Sequence, residues 1–127
     1  LDNFEPKNSE SLEIFYNISE DIKNVCTSYY GSGVIERIQF SLVPAKAKIK
    51  KHYDYGLQFS LSHRIHLPII TNKNVNFHIY DKIFNFKINQ LVEINNKKEH
   101  YVENNSDTDR IHLIIDFIPL KFLPYLR

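Results

Sequence analysis

The chain is poor in the residues that would narrow its class at once. It has one cysteine, Cys26, three glycines and no methionine in 127 residues. A single cysteine excludes an intrachain disulfide and fits a reducing compartment. Charge of neither sign is in excess, with sixteen Lys and Arg against fifteen Asp and Glu, so nothing steers the chain toward nucleic acid or an anionic membrane. A long apolar run is also missing. The most apolar segment, Ile111 to Leu126, is broken by His112, Asp116, Pro119, Lys121 and Pro124, and such breaks exclude a membrane span. No signal peptide is visible at the N-terminus. A chain that opens at Leu1 without any methionine reads as a trimmed or processed piece.

What is present suits a globular β protein. The length fits one domain over residues 1–127 with a real core. Isoleucine, valine, phenylalanine and tyrosine favour strands. Residues 1–33 are expected to form an N-terminal arm and helix, and residues 34–118 a β-core. The arm is polar from Leu1 to Ser9. Ser9 to Tyr30 is the helical region, with Ser11 a possible cap and Ile14, Phe15, Ile18, Ile22 and Val25 at helical spacing. Gly31-Ser32-Gly33 ends it.

From Val34 the pattern changes to period two. Strands are expected at Val34–Val43, Leu57–Leu61, Arg64–Ile70, Val75–Ile79, Phe84–Ile88, Leu91–Ile94, His100–Glu103 and Arg110–Ile118, separated by turn residues. Pro119 and Pro124 make the tail irregular. Many short strands joined by turns point to an all-β fold, a jelly roll, with the helical region packed outside.

Several polar residues fall in or between these strands. At i and i+2 on extended chain, His52 and Asp54 point the same way and can reach one ion, with His100 as a third ligand. Two histidines and a carboxylate with open positions are the ligand set of non-haem Fe(II) oxygenase sites. On their own, His52 and Asp54 read more simply as exposed side chains beside the lysine run Lys46 to Lys51. A strand guanidinium such as Arg110, facing a barrel interior, is costly to bury unpaired, and a dicarboxylate offers a bidentate partner. The alternative is a surface ion pair with Asp107 or Asp109. Sharing a face with His112 and Ile114 favours the pocket. Arg64-Ile65-His66-Leu67 recurs as Arg110-Ile111-His112-Leu113, as though two strands lined one pocket. His66 can donate to a bound carboxylate, with Arg64 beside it, or be a satisfied core histidine. Ser41 reads equally as a strand-end residue, and His63 and His78 as structural or exposed.

An ordered set of segments carries a more specific signal. His52-Tyr53-Asp54, Arg64 to Ile69, Thr71-Asn72, Val75-x-Phe77, Glu93 to Asn96, His100-x-Val102-x-Asn104 and Arg110 to Ile114 with Asp116 together resemble the aspartyl/asparaginyl β-hydroxylase family over roughly Val34 to Phe117. The resemblance implies a double-stranded β-helix (cupin-like) and an Fe(II)- and 2-oxoglutarate-dependent dioxygenase that consumes O2. It places His52 and His100 on the family's iron-binding histidines, and Asp54 where many bacterial members keep a carboxylate and vertebrate members have glycine. Arg110 falls on the arginine that pairs the distal carboxylate of 2-oxoglutarate, with Ser41 assisting. Arg64 and His66 fall on residues that contact cosubstrate or substrate. The glycine usual before Glu93 is replaced around Asn89-Gln90, and asparagine accepts left-handed backbone.

The implied substrate is a small molecule or peptide: an aspartyl or asparaginyl residue, a free amino acid or a related compound. The competing expectation is a non-catalytic jelly-roll module that binds a small anion, because fold does not set function. The expected location is the cytoplasm of a bacterium or of a phage's host.

Overall fold

The computed structural model describes residues 9–126. The arm expected before Ser9, and the side chain of Ser11, lie outside what it describes. Helix α1 (Ser9–Tyr30) runs without a break. It ends where Gly31 adopts a φ of 82° and its N–H donates to Thr27 O at 2.9 Å, the left-handed closure that glycine makes cheaply. Of the expected apolar stripe only Ile22 is buried; Ile14, Phe15, Ile18 and Val25 are exposed. The buried row is Ile22 and Cys26, continued by Tyr30, a spacing of four that brings side chains onto one helix face.

Eight strands follow: β1 (Gly33–Val43), β2 (Lys48–His52), β3 (His63–Ile70), β4 (Val75–Ile79), β5 (Lys82–Phe84), β6 (Val92–Ile94), β7 (His100–Asn104) and β8 (Arg110–Pro119). They form two four-stranded antiparallel sheets, β1-β8-β3-β6 and β2-β7-β4-β5. The first sheet turns Ile65, Leu113, Ile115 and Phe117 toward α1. Its other face meets the second sheet, where Val75, Phe77, Ile94 and Val102 form the inner core. Strand β8 is central and buried along nearly its whole length. A bulge at Glu36 resets the parity of β1, so Ile35 and Ile38 both pack toward α1. Gly33 has no room for a side chain, because a Cβ there would lie 2.4 Å from the Phe117 ring. Among the described residues no helix is long and apolar enough to cross a membrane.

Strand β2 was not among the expected strands, and three expectations change. Leu57–Leu61 is a short helix, α2, rather than a strand. It packs on β8 and on the 3-10 helix Leu120–Leu126, and both edges of the first sheet are strands already in place, β1 and β6. The Phe84–Ile88 strand stops at Phe84 and starts earlier, at Lys82. Tyr80, with φ 54°, turns the chain there, and Asn85 takes Val75 O at 2.7 Å with its side chain instead of joining the ladder. The tail after Pro119 is that 3-10 helix, with Pro124 inside it. The Asn89 that stands in for a glycine does adopt left-handed backbone, φ 63°.

Candidate metal centre and cosubstrate cavity

The centre is built by strand register. β2 ends at His52 and β7 begins at His100, and the two residues are register partners. Their ring centroids lie 4.3 Å apart. Asp54 follows on the loop after β2, where its N–H donates to Asn96 O at 3.0 Å. Asp54 Oδ1 is 3.8 Å from His52 Nε2, and Oδ2 is 4.0 Å from His100 Nε2. The three ligand atoms fall within 4.8 Å of one another.

Both histidines are oriented in the same way. His52 Nδ1 lies 2.7 Å from Lys50 O and His100 Nδ1 2.8 Å from Lys98 O. A carbonyl only accepts, so each Nδ1 carries the proton and each Nε2 lone pair is directed at Asp54. That is the support a metal-binding histidine requires. Two neutral imidazole nitrogens and a carboxylate are the donor types a divalent transition metal takes, and separations near 4 Å leave them about 1 Å beyond the roughly 3 Å between adjacent ligands on bonds of about 2.1 Å. His100 is held below its ordinary pKa, chiefly by burial, which keeps it neutral for ligation.

Arg64 lies behind the carboxylate. Its Nε and Nη2 donate to the two oxygens of Asp116 at 2.8 Å each, and Nη1 donates to Asp54 Oδ2 at 3.0 Å. Burial pulls this guanidinium down, but Asp116 and then Asp54 outweigh it and hold its pKa above the ordinary value.

A cavity of about 190 Å³ runs inward from the histidines, space for roughly six waters at about 30 Å³ each. Gln39, Ser41, Arg64, His66, Phe77 and Arg110 are among its walls. Arg110 sits at its inner end and is 1% exposed. Its Nη2 donates to Ser41 Oγ at 3.0 Å. The surface partners weighed for it are engaged elsewhere: Asp107 with Lys46 and Asp109 with the Ala45 N–H. Among the described residues no carboxylate lies within 4.0 Å of Arg110, and its Nε is buried without a partner. Burial lowers its pKa to about 10, so it stays charged at neutral pH.

Arg110 Nη1 lies 3.3 Å from His112 Nδ1, and His66 Nδ1 lies 3.1 Å from the same atom. Arginine only donates, so His112 Nδ1 accepts and His66 Nδ1 donates to it. His66 Nε2 then carries no proton: as a neutral ring His66 accepts a hydrogen bond through Nε2 rather than giving one. His112 is depressed to about 3 by burial and then by Arg110. His66 is held well below its ordinary value by burial and then by His112. Both rings are neutral in the fold and protonate in the unfolded chain below about 6.5. Stability of the metal-free protein is expected to be full above that pH and to fall below it, by roughly 1 kcal/mol per pH unit down to about 3 for His112, with His66 acting in the same direction. Denaturant melts at pH 7.5 and 5 measure the slope, and His112→Gln should remove its share.

The match to known proteins can now be set against this geometry. The family model for aspartyl/asparaginyl beta-hydroxylase matches residues 3–119. The chain belongs to the aspartyl/asparaginyl β-hydroxylase family. No curated protein sequence matches it significantly. The chain is similar to an oxidoreductase of the 2OG-Fe(II) oxygenase family from Burkholderia pseudomallei, at 14% identity and a TM-score of 0.68, over 90% of this chain and 59% of that one. A prolyl-4-hydroxylase from Pseudomonas putida gives 14% and 0.55, over 91% and 69% of the two chains. A cupin domain from Bordetella pertussis gives 13% and 0.51, over 68% and 91%. At these identities the likeness is one of fold, the double-stranded β-helix.

In this β-hydroxylase family member the sequence placed His52, Asp54, His100, Arg64, His66, Ser41 and Arg110 around one space, and the structure brings all seven together. Asp116 and Asn104 stand in the matching segments, but the sequence reading gave neither a role, although a lone carboxylate in an apolar strand at the parity of Arg110 and His112 was a signal. The buried Asn104 amide holds Val43 O, Pro44 O and Thr108 O at 3.0, 3.1 and 2.9 Å and so fixes the chain just before Arg110. The lysine run is largely spoken for: Lys46, Lys48 and Lys51 pair with Asp107, Glu103 and Glu99. His63 has structural company, stacking on Tyr30 at 3.7 Å and meeting Glu93 at 2.7 Å.

Proposed function

We propose that the protein is an Fe(II)- and 2-oxoglutarate-dependent hydroxylase. The observation that carries the reading is Arg110, a buried cation without a carboxylate, in the same small cavity as the His52–Asp54–His100 group. Burying such a charge alone is costly, and a short diacid spanning the cavity would offset that cost. In this reading His52, Asp54 and His100 hold the metal through two Nε2 atoms and a carboxylate oxygen. Arg110 and Ser41 bind the far carboxylate, and the His66 Nε2 lone pair faces the body of the cosubstrate. When bound, Fe(II) supplies the activation of dioxygen, with 2-oxoglutarate giving up carbon dioxide and two electrons to become succinate while a substrate C–H bond is hydroxylated. Phe77, Val102 and Ile114 keep water from the cavity walls.

In this reading the diacid occupies the cavity of about 190 Å³. The primary substrate, an aspartyl or asparaginyl residue, a free amino acid or a related small compound, therefore approaches from the solvent side of His52, whose side chain is 41% exposed. The deciding assay is succinate formation from 2-oxoglutarate with Fe(II) under air and under argon. Oxygen-dependent succinate supports the reading. Binding of 2-oxoglutarate with no metal uptake would replace it with an anion-binding module.

A further inference from the structure

Asp116 has no part in the reaction proposed above, yet it is 1% exposed in the middle of the chain's most apolar strand. It is the register partner of Arg64 across β3 and β8. By taking both Nε and Nη2 at 2.8 Å it fixes the plane of the guanidinium. Only Nη1 is left to point at the candidate metal centre, where it meets Asp54 Oδ2 at 3.0 Å. Phe59 of α2 covers the guanidinium at 4.7 Å from its ring centroid, so the group is clamped on its edge and on its face.

The consequence concerns the two oxygens of Asp54. A carboxylate can ligate through one oxygen or through both. Here Oδ1, 3.8 Å from His52 Nε2, accepts no hydrogen bond from the described residues, whereas Oδ2, 4.0 Å from His100 Nε2, already accepts one from Arg64. We propose that Asp116 is a positioning residue: by holding Arg64 on Oδ2 alone, it leaves Asp54 one metal-ligating oxygen, Oδ1. With the two histidines, one Asp54 oxygen would leave a bound metal room for both a 2-oxo acid and dioxygen, and a second oxygen would take part of that room. The inference rests on the metal-site reading above. Its plain competitor is an ion pair that only ties β3 to β8, which would affect stability and nothing else.

Mn(II) alone, followed by water-proton relaxation without cosubstrate, separates the two. The parent is expected to bind one Mn(II) that keeps three waters. Arg64→Gln frees Oδ2, and the bound ion should keep two, a loss of about a third of the inner-sphere relaxation. That variant leaves Asp116 buried and unpaired. Arg64→Gln/Asp116→Asn removes both charges together, avoids that penalty, and should give the same lower count. In an Asp54→Ala background Arg64→Gln should change nothing. Asp116→Asn acts in the other direction: an unclamped Arg64 can swing onto both oxygens of Asp54, and Mn(II) affinity should fall about 10- to 100-fold. A water count in the double variant no lower than the parent's, with only the melting temperature changed, overturns the proposal and leaves the metal site standing. A parent that takes up no Mn(II) overturns both.

Discussion

His52→Ala should abolish metal-dependent turnover of 2-oxoglutarate while leaving the metal-free protein nearly as stable as the parent. The two halves of this expectation come from the same geometry. His52 ends an edge strand with its side chain 41% exposed, and its one protein hydrogen bond is local, to Lys50 O. Truncating such a residue typically changes stability by less than about 0.5 kcal/mol. Its Nε2, however, is one of the three donors that the described residues gather at the centre. Losing a donor should cost more than the 10- to 100-fold in affinity that loss of a supporting partner costs. Fe(II) or Mn(II) titration of chelator-treated protein gives the affinity, and a melt in chelator gives the stability. His100→Ala should lose the metal equally, but His100 is 6% exposed and stacked near Phe77. Its metal-free melt should fall as well, because truncation there opens a cavity. A His52→Ala protein that binds metal as tightly as the parent would remove His52 from the site.

How much of this was legible in the sequence follows from which residues obey short-range rules. The i, i+2 parity of His52 and Asp54, and of Arg64 and His66, is a property of extended chain, and both pairs do face one space. The recurrence of Arg-Ile-His-Leu anticipated two neighbouring strands, and β3 and β8 pair directly. Failures arose where tertiary context decides. Leu57–Leu61 has a strand's alternation, yet both sheet edges are otherwise made and it coils. The face of α1 was misread toward Ile14, Phe15 and Ile18 because several rows of this helix are apolar, and only contact with the sheet selects Ile22 and Cys26. The assignment of Arg64 to cosubstrate or substrate came by resemblance, and Arg64 does line the cavity. Its ties to Asp116 and Asp54 depend on a register that links residues 52 apart in sequence, and no local pattern reveals that.

The inner end of the cavity allows the other large effect, and it carries an unusual sign. Arg110→Met should raise the stability of the protein without ligand and at the same time weaken 2-oxoglutarate binding about 10²- to 10³-fold. Methionine approximates the length of the arginine stem and carries no charge. Replacing a buried ion pair by apolar residues of similar volume is commonly neutral or stabilising, by about 1–4 kcal/mol, and a buried cation without a counter-charge has less attraction to lose. The gain should fall at the favourable end here, because Arg110 lacks any carboxylate and its Nε lacks any partner. On the ligand side, losing one partner of a buried, hydrogen-bonded charge pair typically costs about 2–5 kcal/mol. Arg110→Lys should lie between the two, keeping the charge but losing the planar fork that can hold both oxygens of a carboxylate while reaching Ser41. The check is a pair of melts. Without 2-oxoglutarate, Arg110→Met should melt above the parent. With metal present and 2-oxoglutarate at about a hundred times the parent's Kd, the parent gains about 2.7 kcal/mol and the variant gains almost nothing, so the gap narrows or reverses. If Arg110 were only a structural cation satisfied by Ser41 and His112, its replacement would lower both melts together and leave the ligand-induced shift intact.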